Sequence, residues 1–307
     1  MLALLACVAT LVGLPIEPAK GAANLKTGFT DSPVVSGLTN PTDMEFAPDG
    51  RLFVTEDAGR VRIVKPDGTL STFLNISTKV DSTGECGLLA LTFDPGFSTN
   101  HYVYLHYTKK ATSTTPSHNR IVRVTASGER AVAGSEKLIF RLGNQTAATD
   151  HQGGALDFGK DGKLYISTGD NARGTVAQQL TNLFGKMLRI NKSGTIPTDN
   201  PFYPTASGKN RAIWALGLRN PFKFAIQPGE DTIFINDVGE DTWEEINRGG
   251  GRRQLRLARP RGRGQRSSVR GSGLRLQARR HRSRHHGLRD HGGRILPPHD
   301  RPVPPRV

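Results

Sequence analysis

Between residues 44 and 235 the chain returns four times to one short pattern: an alternating apolar strand, a turn built from Pro, Asp and Gly, and a second alternating strand. The copies are residues 44–54 (MEFAPDGRLFV), 91–105 (LTFDPGFSTNHYVYL), 156–166 (LDFGKDGKLYI) and 224–235 (FAIQPGEDTIFI). Asp-Gly between alternating runs, as at Asp49-Gly50 and Asp161-Gly162, signals a hairpin, because glycine takes the positive φ that a tight antiparallel turn needs. The first copy runs on into a strand at residues 60–64 closed by Pro66-Asp67-Gly68, and the second into residues 120–124 closed by Ser127-Gly128. Units of several antiparallel strands, spaced roughly 45 to 70 residues apart, predict propeller blades with long inserted loops. A plain β-sandwich would space its strands more evenly and would lack the recurring turn. The expected fold is all-β, with four blades before residue 251, the fourth incomplete.

Charge divides the chain at the same place. Residues 251–307 hold seventeen arginines against two acids, Asp290 and Asp300, which accounts for the whole net charge of +15. The first 250 residues carry 25 basic and 25 acidic groups, so the folded part is neutral. The tail contains no Phe, Tyr, Trp, Met, Lys, Glu, Asn or Thr and has little from which to build a core, so it is expected to stay disordered. An arginine-rich nucleic-acid arm and a high-GC coding region read in the wrong frame both give such a composition. At the other end, residues 1–14 are almost wholly apolar but too short to span a bilayer, and Gly21, Ala22 and Ala23 offer a cleavage site. This reads as a signal peptide over residues 1–23, with lipoprotein anchoring at Cys7 as the alternative. The mature protein is then expected to be secreted or periplasmic, without a transmembrane segment. Two cysteines exclude a disulfide scaffold; Cys86, left alone after cleavage, reads as an incidental buried thiol.

Polar residues at the blade starts are the candidates for chemistry. His151 lies in Asp150-His151-Gln152-Gly153-Gly154, where an acid adjoins an imidazole and two glycines allow close approach of the backbone. An imidazole is the usual general base at neutral pH, and a loop histidine bonded to its neighbours is the plainer alternative. Asp170-Asn171 either face the channel or form a turn. Arg219, in Arg219-Asn220-Pro221, holds either an oxyanion or an ion pair. Asp237, Gly239, Glu240, Asp241, Glu244 and Glu245 make an oxygen-rich run that suits a hard cation such as Ca²⁺ or a solvated acidic face.

Five ordered segments together resemble the PQQ-dependent glucose/sorbosone dehydrogenases, soluble quinoprotein sugar dehydrogenases built as six-bladed propellers. They are residues 37–56 (GLTNPTDMEFAPDGRLFVTE), 84–97 (GECGLLALTFDPGF), 150–171 (DHQGGALDFGKDGKLYISTGDN), 182–191 (NLFGKMLRIN), and 215–226 (ALGLRNPFKFAI) with 236–250 (NDVGEDTWEEINRGG). The resemblance implies a partial domain over residues 24–250 with PQQ and Ca²⁺ as cofactors. His151 takes the family's base position, with Asp150 and Arg219 beside it in catalysis. Arg219, Asn220 and Asp170 fall on cofactor-facing positions, Glu85 and Asp150 on the substrate side, and Gly239 and Glu240 in the calcium loop. Cys86 departs from the arginine or asparagine common there. The implied reaction takes a proton from a sugar hydroxyl on His151 and passes hydride to the quinone, with electrons then leaving to an external acceptor.

The resemblance ends at Gly250, where the family continues Gly-x-Asn-Tyr-Gly-Trp-Pro. Residues 252–258 can be encoded CGG CGC CAA CTA CGG CTG GCC; moving the frame by one base yields Gly-Ala-Asn-Tyr-Gly-Trp-Pro. Residues 251–307 therefore read as a frameshifted end, in preference to a nucleic-acid arm. The chain is expected to be truncated to about four blades and impaired in binding PQQ. The alternative function is a non-catalytic propeller that binds carbohydrate or a protein partner.

Overall fold

The computed structural model describes residues 26–240, 243–250 and 274–277. The signal reading over residues 1–23, Cys7 and the rest of the tail lie outside the described residues. Met1–Ser36 forms a unit of its own, whose described part is a short extended stretch with one turn. Among the described residues every strand belongs to the second unit, Gly37–Val307.

The strands form four antiparallel sheets, arranged as the blades of a β-propeller. Blade 1 is β1 (Pro41–Phe46), β2 (Leu52–Glu56), β3 (Arg60–Val64) and β4 (Leu70–Asn75), paired in chain order. Blade 2 is β5 (Leu88–Phe93), β6 (Tyr102–Lys109), β7 (His118–Ser127), the two-residue β8 (Arg130–Ala131) and β9 (Lys137–Asn144), with β9 paired to β7. Blade 3 is β10 (Gly153–Phe158), β11 (Leu164–Thr168), β12 (Lys186–Ile190) and β13 (Ile213–Leu216). Blade 4 is β14 (Pro221–Ile226), β15 (Thr232–Asp237), β16 (Trp243–Gly250) and β17 (Leu274–Gln277). The first strands lie side by side, β1 against β5, β5 against β10 and β10 against β14. A further tie joins the first blade to the fourth, where Lys223 Nζ on β14 meets Asp43 Oδ1 on β1 at 2.7 Å.

One turn explains the hairpins. At Ala47–Arg51 the N–H of Ala47 donates to Arg51 O, Gly50 N–H donates to Ala47 O, and Asp49 Oδ1 accepts from Arg51 N–H. The same pattern recurs at residues 65–69, with Asp67 accepting from Thr69, and at residues 159–163, with Asp161 accepting from Lys163. Gly50, Gly68 and Gly162 hold φ of 86°, 77° and 68°, where a side chain would be strained. The second copy of the repeat differs from expectation. There a helical turn, α1 (Phe97–Asn100), replaces the tight hairpin, and Asp94 Oδ1 holds it by accepting from Gly96 N–H and Asn100 Nδ2.

The core lies between the blades. On β6, Val103, Leu105 and Tyr107 face blade 1 and pack with Phe53, Ile63 and Phe73, whereas Tyr104 faces blade 3 with Leu164 and Ile166. On β11 and β12 the division repeats: Ile166 and Leu188 serve the interface with blade 2, and Tyr165 and Met187 that with blade 4. Period-two alternation therefore sorts side chains between two interfaces, and the middle strands are buried on both faces. The outer flanks differ: Met44 and Phe46 on β1 and Phe222 on β14 are about half exposed or more.

One expectation, an incomplete fourth blade, is corrected here. Blade 4 has four strands, and its outermost strand comes from the arginine-rich tail, where Leu274–Gln277 pairs with Trp243–Ile246. Over those four residues the tail alternates Leu-Arg-Leu-Gln, a period that a strand edge accepts in spite of the surrounding composition.

Phe53 is fully buried between blades 1 and 2, with edge-on contacts to Phe73 and Phe93 at 5.1 Å. Phe53→Ala is expected to lose about 3–5 kcal/mol, measured by chemical denaturation.

Candidate active site

The polar loops that open the first strands of blades 2, 3 and 4 converge on one histidine. Its environment follows from the close approach of two chain segments, Asp150–Gly153 ahead of β10 and Gly169–Asn171 after β11. Gly169 permits that approach, because a Cβ there would collide with the carbonyl of His151. The His151 backbone is left-handed, with φ of 57°, an unusual conformation for a residue with a side chain. Its carbonyl accepts from Asn171 N–H at 3.2 Å. Its Nδ1 lies 2.7 Å from Asp170 Oδ1, with the imidazole 16% exposed and the carboxylate 2%.

Asp170 is fixed from behind. Its N–H donates to Arg219 O at 2.8 Å, and its second oxygen accepts from Gly174 N–H at 3.1 Å. Below it lies Lys186, fully buried at the start of β12, whose ammonium donates to the carbonyls of Val176, Ala177 and Phe184. Burial pushes Lys186 down to about 7, and the Asp170 charge opposes the shift. The sequence signal for this residue was a lysine opening the apolar run KMLRI, a place where a charge must be enclosed.

Glu85 and Asn220 join three blades. Glu85 Oε2 accepts from His151 N–H at 2.8 Å, Gln152 N–H at 3.4 Å and Asn220 Nδ2 at 3.1 Å. Asn220 Oδ1 accepts from Gly153 N–H at 2.9 Å. The backbone N–H groups of Arg219 and Asn220 both donate to the buried Asp237 carboxylate, which burial pushes up to about 7. Arg219 is half-buried, and among the described residues its guanidinium makes one hydrogen bond, to Val238 O at 3.2 Å. A cavity of about 180 Å³ adjoins this cluster, with Thr42, Glu85, Cys86, Gly153 and Lys223 in its walls.

The structure thus brings together His151, Asp170, Glu85, Asn220 and Arg219. The acid that bonds the imidazole is Asp170, however, and not its neighbour Asp150, which is exposed. Asn220 is committed to Glu85 and Gly153, and Asp170 to His151, so both shape the wall through their protein bonds. In the acidic run Asp237 is spent on backbone N–H groups and Glu244 Oε2 on Gly239 N–H, while Glu240 is exposed. Among the described residues no three His, Cys, Asp or Glu side chains group as metal ligands. Cys86 is buried and desolvation pushes its thiol up to about 11, which agrees with an inert thiol. Among the described residues no helix is long and apolar enough to cross a membrane.

Known proteins share this sequence and architecture. The chain is 30% identical over 269 residues to quinoprotein glucose dehydrogenase B of Acinetobacter calcoaceticus, covering 79% of this chain and 55% of that protein. It is 31% identical over 237 residues to the human hedgehog-interacting protein, covering 68% of this chain and 33% of that one. The solved PQQ-bound form of aldose sugar dehydrogenase from Streptomyces coelicolor superposes with a TM-score of 0.59 at 29% identity, over 70% of this chain and 61% of that one. The chain spans about half the length of the curated enzymes it matches. Residues 38–250 match the family model described as Glucose / Sorbosone dehydrogenase, and with the propeller blades and the ordered motifs in agreement, the chain belongs to that family.

Proposed function

We propose that the chain carries the proton-transfer face of a quinoprotein sugar dehydrogenase, which oxidises an aldose with PQQ and Ca²⁺ and passes electrons to an external acceptor. The observation that carries this reading is the His151–Asp170 pair, on a family background of sugar dehydrogenases, with Glu85, which bonds the His151 backbone, in the wall of the neighbouring cavity. An imidazole whose Nδ1 donates to a carboxylate presents Nε2 as a lone pair, and that atom takes the proton of the sugar hydroxyl. The Asp170 carboxylate stabilises the imidazolium that results, and its bonds to Arg219 O and Gly174 N hold the ring's orientation. Asp150, exposed beside the base, is left to meet the sugar.

The residues fit the cofactors in kind. Arg219 has N–H donors to spare for the oxygens of an anionic quinone, and Asp237 and Asp170 hold its backbone in place, through its N–H and its carbonyl. The Gly239–Glu240 loop offers carboxylate and carbonyl oxygens, the donors that Ca²⁺ prefers. When bound, PQQ supplies the two-electron hydride acceptor. PQQ carries three carboxylates, and desolvating each without a cation costs several kcal/mol, as a rough guide. We therefore expect weak PQQ binding by the chain as it stands, with residues 251–307 read as out of frame and residues 1–23 as an export signal.

The similarity to the hedgehog-interacting protein favours one second reading, a propeller that binds a partner without catalysis. Calorimetry with PQQ and Ca²⁺ separates the two. The chain encoded with its frame moved one base at the codon for Arg252 is expected to bind PQQ stoichiometrically and to reduce a dye in the presence of aldose, while the present chain binds weakly. Absence of PQQ uptake by the frame-moved form favours the non-catalytic reading. In the frame-moved form, His151→Ala is expected to lower turnover by about 10² to 10⁴ at unchanged PQQ binding. Undiminished turnover would remove His151 from the mechanism.

A further inference from the structure

We infer that Glu85 is a positioning residue for His151: a carboxylate from blade 2 that holds the backbone of a blade 3 histidine in its left-handed conformation and locks it to blade 4. The catalytic meaning of this role rests on the dehydrogenase reading; the geometry does not. Glu85 lines the cavity and is exposed, yet one of its oxygens is committed to the protein. Here Oε2 gathers the His151 N–H at 2.8 Å, the Gln152 N–H at 3.4 Å and the Asn220 amide at 3.1 Å. The two loops also meet through their backbones, since Glu85 N–H donates to Thr149 O at 3.1 Å. Gly84, with φ of 63°, lies so close to Thr149 that a Cβ would overlap its side chain.

Three attachments then define the histidine. Its ring is bonded to Asp170 and its carbonyl to Asn171, both in the segment that follows β11 of its own blade. Its N–H is bonded to Glu85, the attachment that crosses to another blade. A left-handed backbone at a residue with a side chain is unfavourable in isolation and persists only where its surroundings over-determine it. An ionised acceptor makes a stronger bond to N–H than a neutral one, which suits Glu85 to that task. Asn220 bonds Glu85 through Nδ2 and Gly153 N–H through Oδ1, so the same side chain clamps both the carboxylate and the residue two beyond the base. The orientation of the imidazole is thus referred to three blades at once.

Hydrogen exchange on the 307-residue chain, without cofactor or sugar, tests the inference. In Glu85→Ala the amides of His151 and Gln152 are expected to exchange about 10- to 100-fold faster, the usual consequence of losing a bond to a charged acceptor. The amides of Leu164–Thr168 in β11 should keep their rates. Glu85→Gln, which retains one oxygen acceptor, should restore most of the protection. Unchanged exchange at His151 in Glu85→Ala would overturn the inference. Equal acceleration in β11 would also overturn it, by making Glu85 a general stability residue. If the frame-moved form proves active, Glu85→Ala should lower kcat and leave the sugar KM in place; a rise in KM alone would assign Glu85 to the sugar. Failure to bind PQQ would end the dehydrogenase reading and leave the exchange result standing.

Discussion

Sheets stacked face to face must bury both of their surfaces, and this constraint orders the rest of the molecule. Middle strands such as β6 and β11 have no solvent face, so a polar group carried along them is desolvated at a cost. Polar chemistry is therefore displaced to the strand ends. The loops ahead of β5, β10 and β14 collect carboxylates, amides and an imidazole, while the strands between are mostly apolar, with enclosed exceptions such as His106 on β6 and Arg189 on β12. The site is a consequence of how the blades stack.

Around those loops several buried charged groups have structural duties. Asp237 satisfies two backbone N–H groups, Asp170 restrains an imidazole, and Lys186 satisfies three carbonyls that the short turn at Gly174–Gln178 and Phe184 would otherwise leave buried. Buried charges are tolerated when each has bonded partners, and here the partners are mostly backbone. The backbone that lines the site is consequently fixed by side chains reaching across from other segments. Arg219 stands apart, with donors left over beyond its bond to Val238.

The blades were legible in the sequence because their turns are chemical. Asp49-Gly50, Pro66-Asp67-Gly68 and Asp161-Gly162 encode a side-chain acceptor followed by a positive φ, and each closes a hairpin. His151 was legible through its glycines. Its partner was not: Asp150 is adjacent in the chain, yet with His151 left-handed the imidazole turns to Asp170, nineteen positions on, and nothing in local sequence reports that choice. Lys186 was hidden for the opposite reason, since its three acceptors are carbonyls that every residue possesses. The strand Leu274–Gln277 was missed because the composition of the tail outweighed a four-residue period.

The apolar clusters between blades are unequal. Among the described residues, seventeen buried side chains fill the interface that blade 3 makes with blade 2, and seven fill the one it makes with blade 4. Stacked sheets are coupled chiefly through nearest neighbours, so each interface opens with its own free energy and the blades resemble a zipper, here clasped between its first and fourth teeth by Lys223 and Asp43. Parting of blades 3 and 4 would release Arg219 and Asn220 while His151 and Asp170, bonded to each other within blade 3, stayed together. A transition followed at the histidine and one followed at the arginine would report different midpoints, and no single melting temperature would describe the site.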